Sequence, residues 1–166
     1  MADSKLPFVL TRTFDAPRAL VWDAFTKAEH LKHWMGPPGS KLSHVEVDLK
    51  PGGVFHYGMA MPNGQTMWGK WTFKEIVPPE KLVVVVSFSD ANKGVSRHPM
   101  APNWPLETMS TTTFTEANGK TTIRLEWRAI NASEEERDVF DSSHASMTGG
   151  WNGTMDALAA YLATLR

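Results

Sequence analysis

Few residues of this chain can do acid–base or ligand chemistry, and their spacing limits what that chemistry can be. There are six histidines and no cysteine. His30 and His33 stand three apart in "HLKHW", a spacing that puts two imidazoles on one face of a short helix. Two ligands do not make a metal site, and no third is identifiable; His44 is near only in sequence. There is no HExxH and no acidic loop, and without cysteine there is neither a thiolate site nor a disulfide. No metal and no cofactor is therefore expected. General acid–base catalysis needs a histidine or carboxylate held inside a cavity. The available groups are His144, His56 and Glu75, and only His144 has a phase that points inward. No nucleophile elbow, phosphate loop or dinucleotide fingerprint is present, because Gly52-Gly53 and Gly149-Gly150 lack those contexts. His144 is the one weak catalytic candidate.

The elements that must position these groups follow from periodicity. "FVLTRTF" (8–14) is β-branched and aromatic, and "DAP" ends it, with Asp15 placed to cap the next element and Pro17 suited to a first helical turn. "RALVWDAFT" (18–26) and "AEHLKHWMG" read as two short helices, closed by the breaker "GPPG" (36–39). From there the period becomes two. Val45, Val47 and Leu49 alternate with acidic residues, and Phe55, Tyr57, Met59 and Met61 share one parity. "PNG" (62–64) predicts a hairpin, after which Met67, Gly69, Trp71 and Phe73 share a face. "LVVVVSFS" is apolar on both parities. "ANGK" (117–120) is a second Asn-Gly hairpin, and Ile123, Leu125, Trp127 and Ala129 lie on one face beyond it. Such short turns require antiparallel pairing. The stretch "DANKGVSRHPMAPNWP" (90–105) is the only long irregular one and is a candidate lid, with Trp104 inside it.

The last third is helical. Ser133 with Glu136 forms a capping-box pattern. Phe140, Met147, Trp151, Met155, Leu158, Leu162 and Leu165 keep one stripe straight across Gly149-Gly150, with His144 on the same stripe. This predicts one helix, bent at the glycines, rather than two. The order of elements is α+β, in one domain spanning residues 1–166.

Composition excludes more than it assigns. Seventeen basic and eighteen acidic side chains give a net charge of −1 with no long like-charge run, which argues against a nucleic-acid partner. No apolar run approaches a membrane span or a signal peptide, so a cytoplasmic location is the default expectation. Seven Trp, eight Phe and nine Met are an unusual stock of large soft side chains, suited to a core or to a pocket for apolar ligands.

Four stretches, in order, carry a family resemblance: "FDAPRALVWDAFTKAEHLKHWMGP", "VDLKPGGVFHYGM", "GKWTFKEIVPPEKLV" and "GGWNGTMDALAAYL". The chain resembles the bacterial activator-of-heat-shock-protein-90-ATPase-like family of the START-related (SRPBCC) helix-grip superfamily. It departs from the family's usual "WWGP" with "WMGP" and from "DPE" with "KAE", both in the helix pair. The resemblance implies a helix-grip fold: a curved antiparallel sheet of about seven strands wrapped on a long C-terminal helix, with two short helices after the first strand. It also implies an apolar cavity between helix and sheet.

Parity and phase then nominate the cavity wall: Phe55, Tyr57 and Met59; Trp71 and Phe73; Trp127; and His144, Met147 and Trp151 from the helix. Tyr57 and His144 are the polar groups that would orient a ligand. The function expected first is binding of a small hydrophobic or amphipathic ligand. The alternatives are an enzyme of polyketide cyclase type acting through His144, and an interaction module acting on a chaperone ATPase, which only the family name suggests. A homodimer stays open.

Overall fold

The computed structural model describes residues 7–35, 41–98 and 101–165. The breaker at 36–39 lies outside them. Strand β1 (Phe8–Phe14) leads into helices α1 (Arg18–Thr26) and α2 (Ala28–Trp34). Strands β2 (Lys41–Val47), β3 (Val54–Ala60), β4 (Thr66–Val77), β5 (Lys81–Ser89), the two-residue β6 (Val95–Ser96), β7 (Glu107–Ala117) and β8 (Lys120–Ile130) follow. Helices α3 (Glu134–Ser142) and α4 (His144–Ala163) complete the chain. The sheet is antiparallel and curved, in the order β1-β8-β7-β5-β4-β3-β2, with β6 added to β5. This is the helix-grip arrangement that the resemblance implies. No helix among the described residues is long and apolar enough to cross a membrane.

Local chemistry explains the joints. Asn118 and Gly119 both hold positive φ (56° and 76°), the geometry of a two-residue hairpin that matches strand twist, and Ala117 pairs with Lys120 across it. At α1, Pro17 and not Asp15 occupies the N-cap, with φ −68°. The Arg18 N–H is satisfied instead by Glu116 Oε2 of β7 at 2.8 Å. The capping box at α3 forms as the sequence predicts: Glu136 N–H donates to Ser133 Oγ (3.1 Å), and Ser133 N–H to Glu136 Oε1 (2.9 Å).

The final helical third differs from expectation. It breaks at Ser143, where φ −93° and ψ 2° leave the helical region, and Gly149-Gly150 lie inside the uninterrupted α4. Adjacent serines cause the break. Ser142 Oγ and Ser143 Oγ both donate to the Val139 carbonyl, at 3.2 and 2.6 Å, competing with the backbone ladder. The apolar phase passes through because α4 begins again at the next residue.

Alternation puts one face of the sheet under α4. Phe8 and Leu10 of β1 and Ile123 and Leu125 of β8 are buried there. Arg12, on the same parity, reaches Asp156 of α4 at 2.7 Å. The C-terminal half of α4 supplies the grip through Met155, Leu158 and Leu162, at 0, 0 and 2 % exposure. Each such buried side chain contributes about 1.5–3 kcal/mol. The N-terminal half has no fully buried apolar side chain, only half-buried Met147 and Trp151.

Candidate ligand-binding site

Between the inner face of the sheet and α4 lies a cavity of about 460 Å³. Its floor is made by alternate residues of the central strands: Tyr57 and Met59 of β3, Trp71 of β4, then Val84 and Val86 of β5. Strand β8 adds Leu125 and Trp127, and α4 roofs it with Met147, Gly150, Trp151 and Thr154. Six of the nine residues nominated from parity and phase therefore come together here: Tyr57, Met59, Trp71, Trp127, Met147 and Trp151.

The other three do not line it. Phe55 is fully buried against Tyr57 and Trp71, with ring centroids 4.8 and 4.9 Å away, and Phe73 is 1 % exposed. Parity selects a face; which rows of that face reach open space depends on what packs over them. His144 begins α4 instead of lying within one continuous helix. Its ring meets Phe8 and Phe140 edge-on at 5.7 and 5.6 Å, and Nε2 is buried with no hydrogen-bond partner among the described residues. The acid–base role considered for His144 has no cavity geometry behind it.

The remaining candidates lie elsewhere too. Glu75 forms an ion pair with Lys81 at 3.3 Å. His56 is buried on the opposite face of the sheet, stacked on Trp68 at 5.1 Å with His44 edge-on at 5.1 Å. Its Nε2 is 3.1 Å from the Asp90 carbonyl, which can only accept, so Nε2 carries the proton. His30 Nδ1 pairs with Tyr161 Oη at 2.6 Å, and His33 stacks on the same ring. No group of three His, Cys, Asp or Glu among the described residues could hold a metal ion.

Two sets of lining residues escaped the reading of the sequence. The first is polar: Thr108, Ser110 and Thr112 of β7 face the cavity. "TMSTTTFTE" is polar at nearly every position, so alternation is invisible in it. A signal did exist. Counting back from the Ala117–Lys120 pair sets Ser110 opposite Trp127 and Thr112 opposite Leu125. The second set comes from the irregular stretch, where His98, Ala101, Trp104 and Pro105 form the rim.

That rim is docked by specific contacts. The Trp104 ring lies 5.4 Å from Phe140, and His98 lies 4.5 Å from Phe88. Arg97 donates to the Trp104 carbonyl at 3.3 Å and pairs with Glu136 Oε2. One carboxylate thus caps α3 with one oxygen and holds the rim with the other. The Ser133 N–H and then Arg97 hold Glu136 below the usual carboxylate range, against the opposing effect of burial.

Electrostatically the cavity is bare. Among the described residues, no Asp, Glu, Lys or Arg lines it. Burial pushes the Tyr57 phenol up to about 12 and lowers His98, which favours the uncharged form of both groups. The arrangement can enclose an apolar body and offer it hydroxyl groups.

Comparison with known proteins agrees with this architecture. A protein from Rhodobacter sphaeroides has a solved structure similar at TM-score 0.76, with 21% identity over 95% of this chain and 93% of that one. A Nitrosomonas europaea protein gives TM-score 0.74 at 23% identity, covering 96% and 95%. The AHSA1 protein from Silicibacter pomeroyi gives 0.72 at 18% identity, covering 97% and 100%. At these identities the likeness concerns the fold alone. A search of curated proteins finds no match. The profile of the family described as "Activator of Hsp90 ATPase homolog 1-like protein" matches residues 15–163. Since that match spans every element from α1 through the gripping helix α4, the chain belongs to the activator of Hsp90 ATPase homolog 1-like family.

Proposed function

We propose that the chain binds a small, predominantly apolar molecule in the cavity between the sheet and α4. The observation that carries this is the void itself. Protein interiors pack densely and leave few spaces larger than a water molecule, whereas about 460 Å³ of open volume lies here under a long helix. That volume falls in the range of small-molecule sites. Each 100 Å² of ligand apolar surface removed from water would contribute about 2.5 kcal/mol, before the cost of immobilising the ligand.

Filling the void tests the reading. Val86 points into the cavity from β5, and Val86→Phe would occupy part of it. The expected result is loss of Nile red binding with thermal stability unchanged or raised. Dye binding that survives the substitution overturns the proposal.

The family description favours a second reading, stimulation of an Hsp90-type ATPase through the protein's surface. ATPase assays with and without the full chain separate the two, because a surface activity would be indifferent to Val86→Phe.

A further inference from the structure

We infer that the cavity's occupant is an uncharged, largely apolar molecule with hydrogen-bonding groups along one side, which the Ser110 and Thr112 hydroxyls engage. The inference rests on the ligand-binding reading above and deepens it.

The argument begins with β7. Thr108, Ser110 and Thr112 occupy alternate positions on the inner face, so consecutive hydroxyl groups stand about 7 Å apart. Their cross-strand neighbours are apolar at every level. Thr108 lies between Val86 and Ala129, Ser110 between Val84 and Trp127, and Thr112 between Leu82 and Leu125. The hydroxyls therefore form an isolated polar stripe across an apolar floor.

Their bonding sets two of them apart. Thr108 Oγ1 donates to the Val86 carbonyl at 3.3 Å. Ser110 and Thr112 are buried, at 8 and 4 % exposure, and their hydroxyls make no hydrogen bond to another described residue. Neither is among the fully enclosed unpartnered atoms, so both open onto the cavity. Buried hydroxyls without partners cost free energy. Alanine at 110 and valine at 112 would fill a strand core equally well. Hydroxyls there stabilise a state in which something inside the cavity pairs with them.

The absence of charge on the lining sets the second half of the specificity. A carboxylate entering this site would lose its water and meet no Lys or Arg among the described lining residues in return. Burial favours the uncharged forms of Tyr57 and His98 as well.

Three shape-matched probes test this by calorimetry on the full chain: acetylnaphthalene, with a carbonyl; ethylnaphthalene, without one; and naphthoate, an anion. At pH 7 naphthoate is expected to bind at least about tenfold more weakly than acetylnaphthalene. In the Ser110→Ala/Thr112→Val variant the affinity ratio of ketone to hydrocarbon is expected to fall about threefold to tenfold. Ethylnaphthalene binding by the variant shows that its cavity is intact. Naphthoate binding as tightly as the ketone overturns the inference, as does an unchanged ratio in the variant, which would mean that water alone satisfies the hydroxyls. Either result leaves the ligand-binding reading standing if ethylnaphthalene binds. Failure of all three probes to bind removes both.

Discussion

Gly149 and Gly150 offer a sharp test of how the long helix is built. They are the sixth and seventh residues of α4, well inside it, and both are exposed. A Cβ added at either one would meet nothing within 4 Å. Replacing them with alanine therefore introduces no steric cost, and what changes is backbone freedom. Glycine in a helix interior is less favourable than alanine by about 0.8–1 kcal/mol, so Gly149→Ala/Gly150→Ala should stabilise the fold by about 1.5–2 kcal/mol. For a domain of this size that corresponds to a rise in melting temperature of about 3–8 °C. Urea unfolding followed by far-UV circular dichroism provides the measurement: the midpoint should rise while the slope with denaturant stays fixed. A variant no more stable than the parent would refute the reasoning, since it would mean that the backbone is not helical through the pair.

Other substitutions probe the site's surroundings. A Cβ at Gly69 would stand 2.5 Å from Tyr57 Oη and 2.6 Å from its Cζ, because the ring lies across this position in the register. Gly69→Ala should thus cost about 1–3 kcal/mol in urea unfolding and weaken Nile red binding; parental stability would contradict the packing described. Glu136→Gln keeps the capping oxygen while removing the charge that holds Arg97. Because the folded state favours the ionised form of Glu136 and holds its pKa below the ordinary carboxylate range, its contribution is present above that range and disappears as pH falls through the folded value. The melting-temperature gap between parent and variant should be open at pH 7 and narrow progressively as pH falls below the ordinary carboxylate range. A gap that stays constant into acid would show that the charge is irrelevant to it.

Much of the fold was legible because its signals are local. Asn118-Gly119 dictates a tight hairpin whatever surrounds it, and Ser133 with Glu136 marks a helix start on the page. The parity of Tyr57, Met59, Trp71 and Trp127 placed them correctly on the inner face. Other features were set by contacts that a linear pattern does not contain. Phe55 and Phe73 share that face, yet neighbouring packing removes them from the cavity. The helix break went to Ser142-Ser143 and not to the glycines, because serine hydroxyls compete for a carbonyl while exposed glycines only weaken the helix. His56 was assigned to the outer parity and is nonetheless 1 % exposed, stacked on Trp68 with His44 edge-on.

The tryptophans that border the cavity have a consequence of a different kind. Trp127 and Trp151 sit with ring centroids 5.7 Å apart and planes at 85°, one on the sheet and one on the loosely anchored half of α4. Two indoles so close share their electronic excitation, and the sign and size of the resulting dichroic band depend on the angle between them. Phe140 bridges Trp127 to Trp104 on the rim, with centroids 5.9 and 5.4 Å away. The protein therefore carries its own optical gauge of the cavity: any movement of the roof relative to the floor is written into the ultraviolet spectrum of the unlabelled chain.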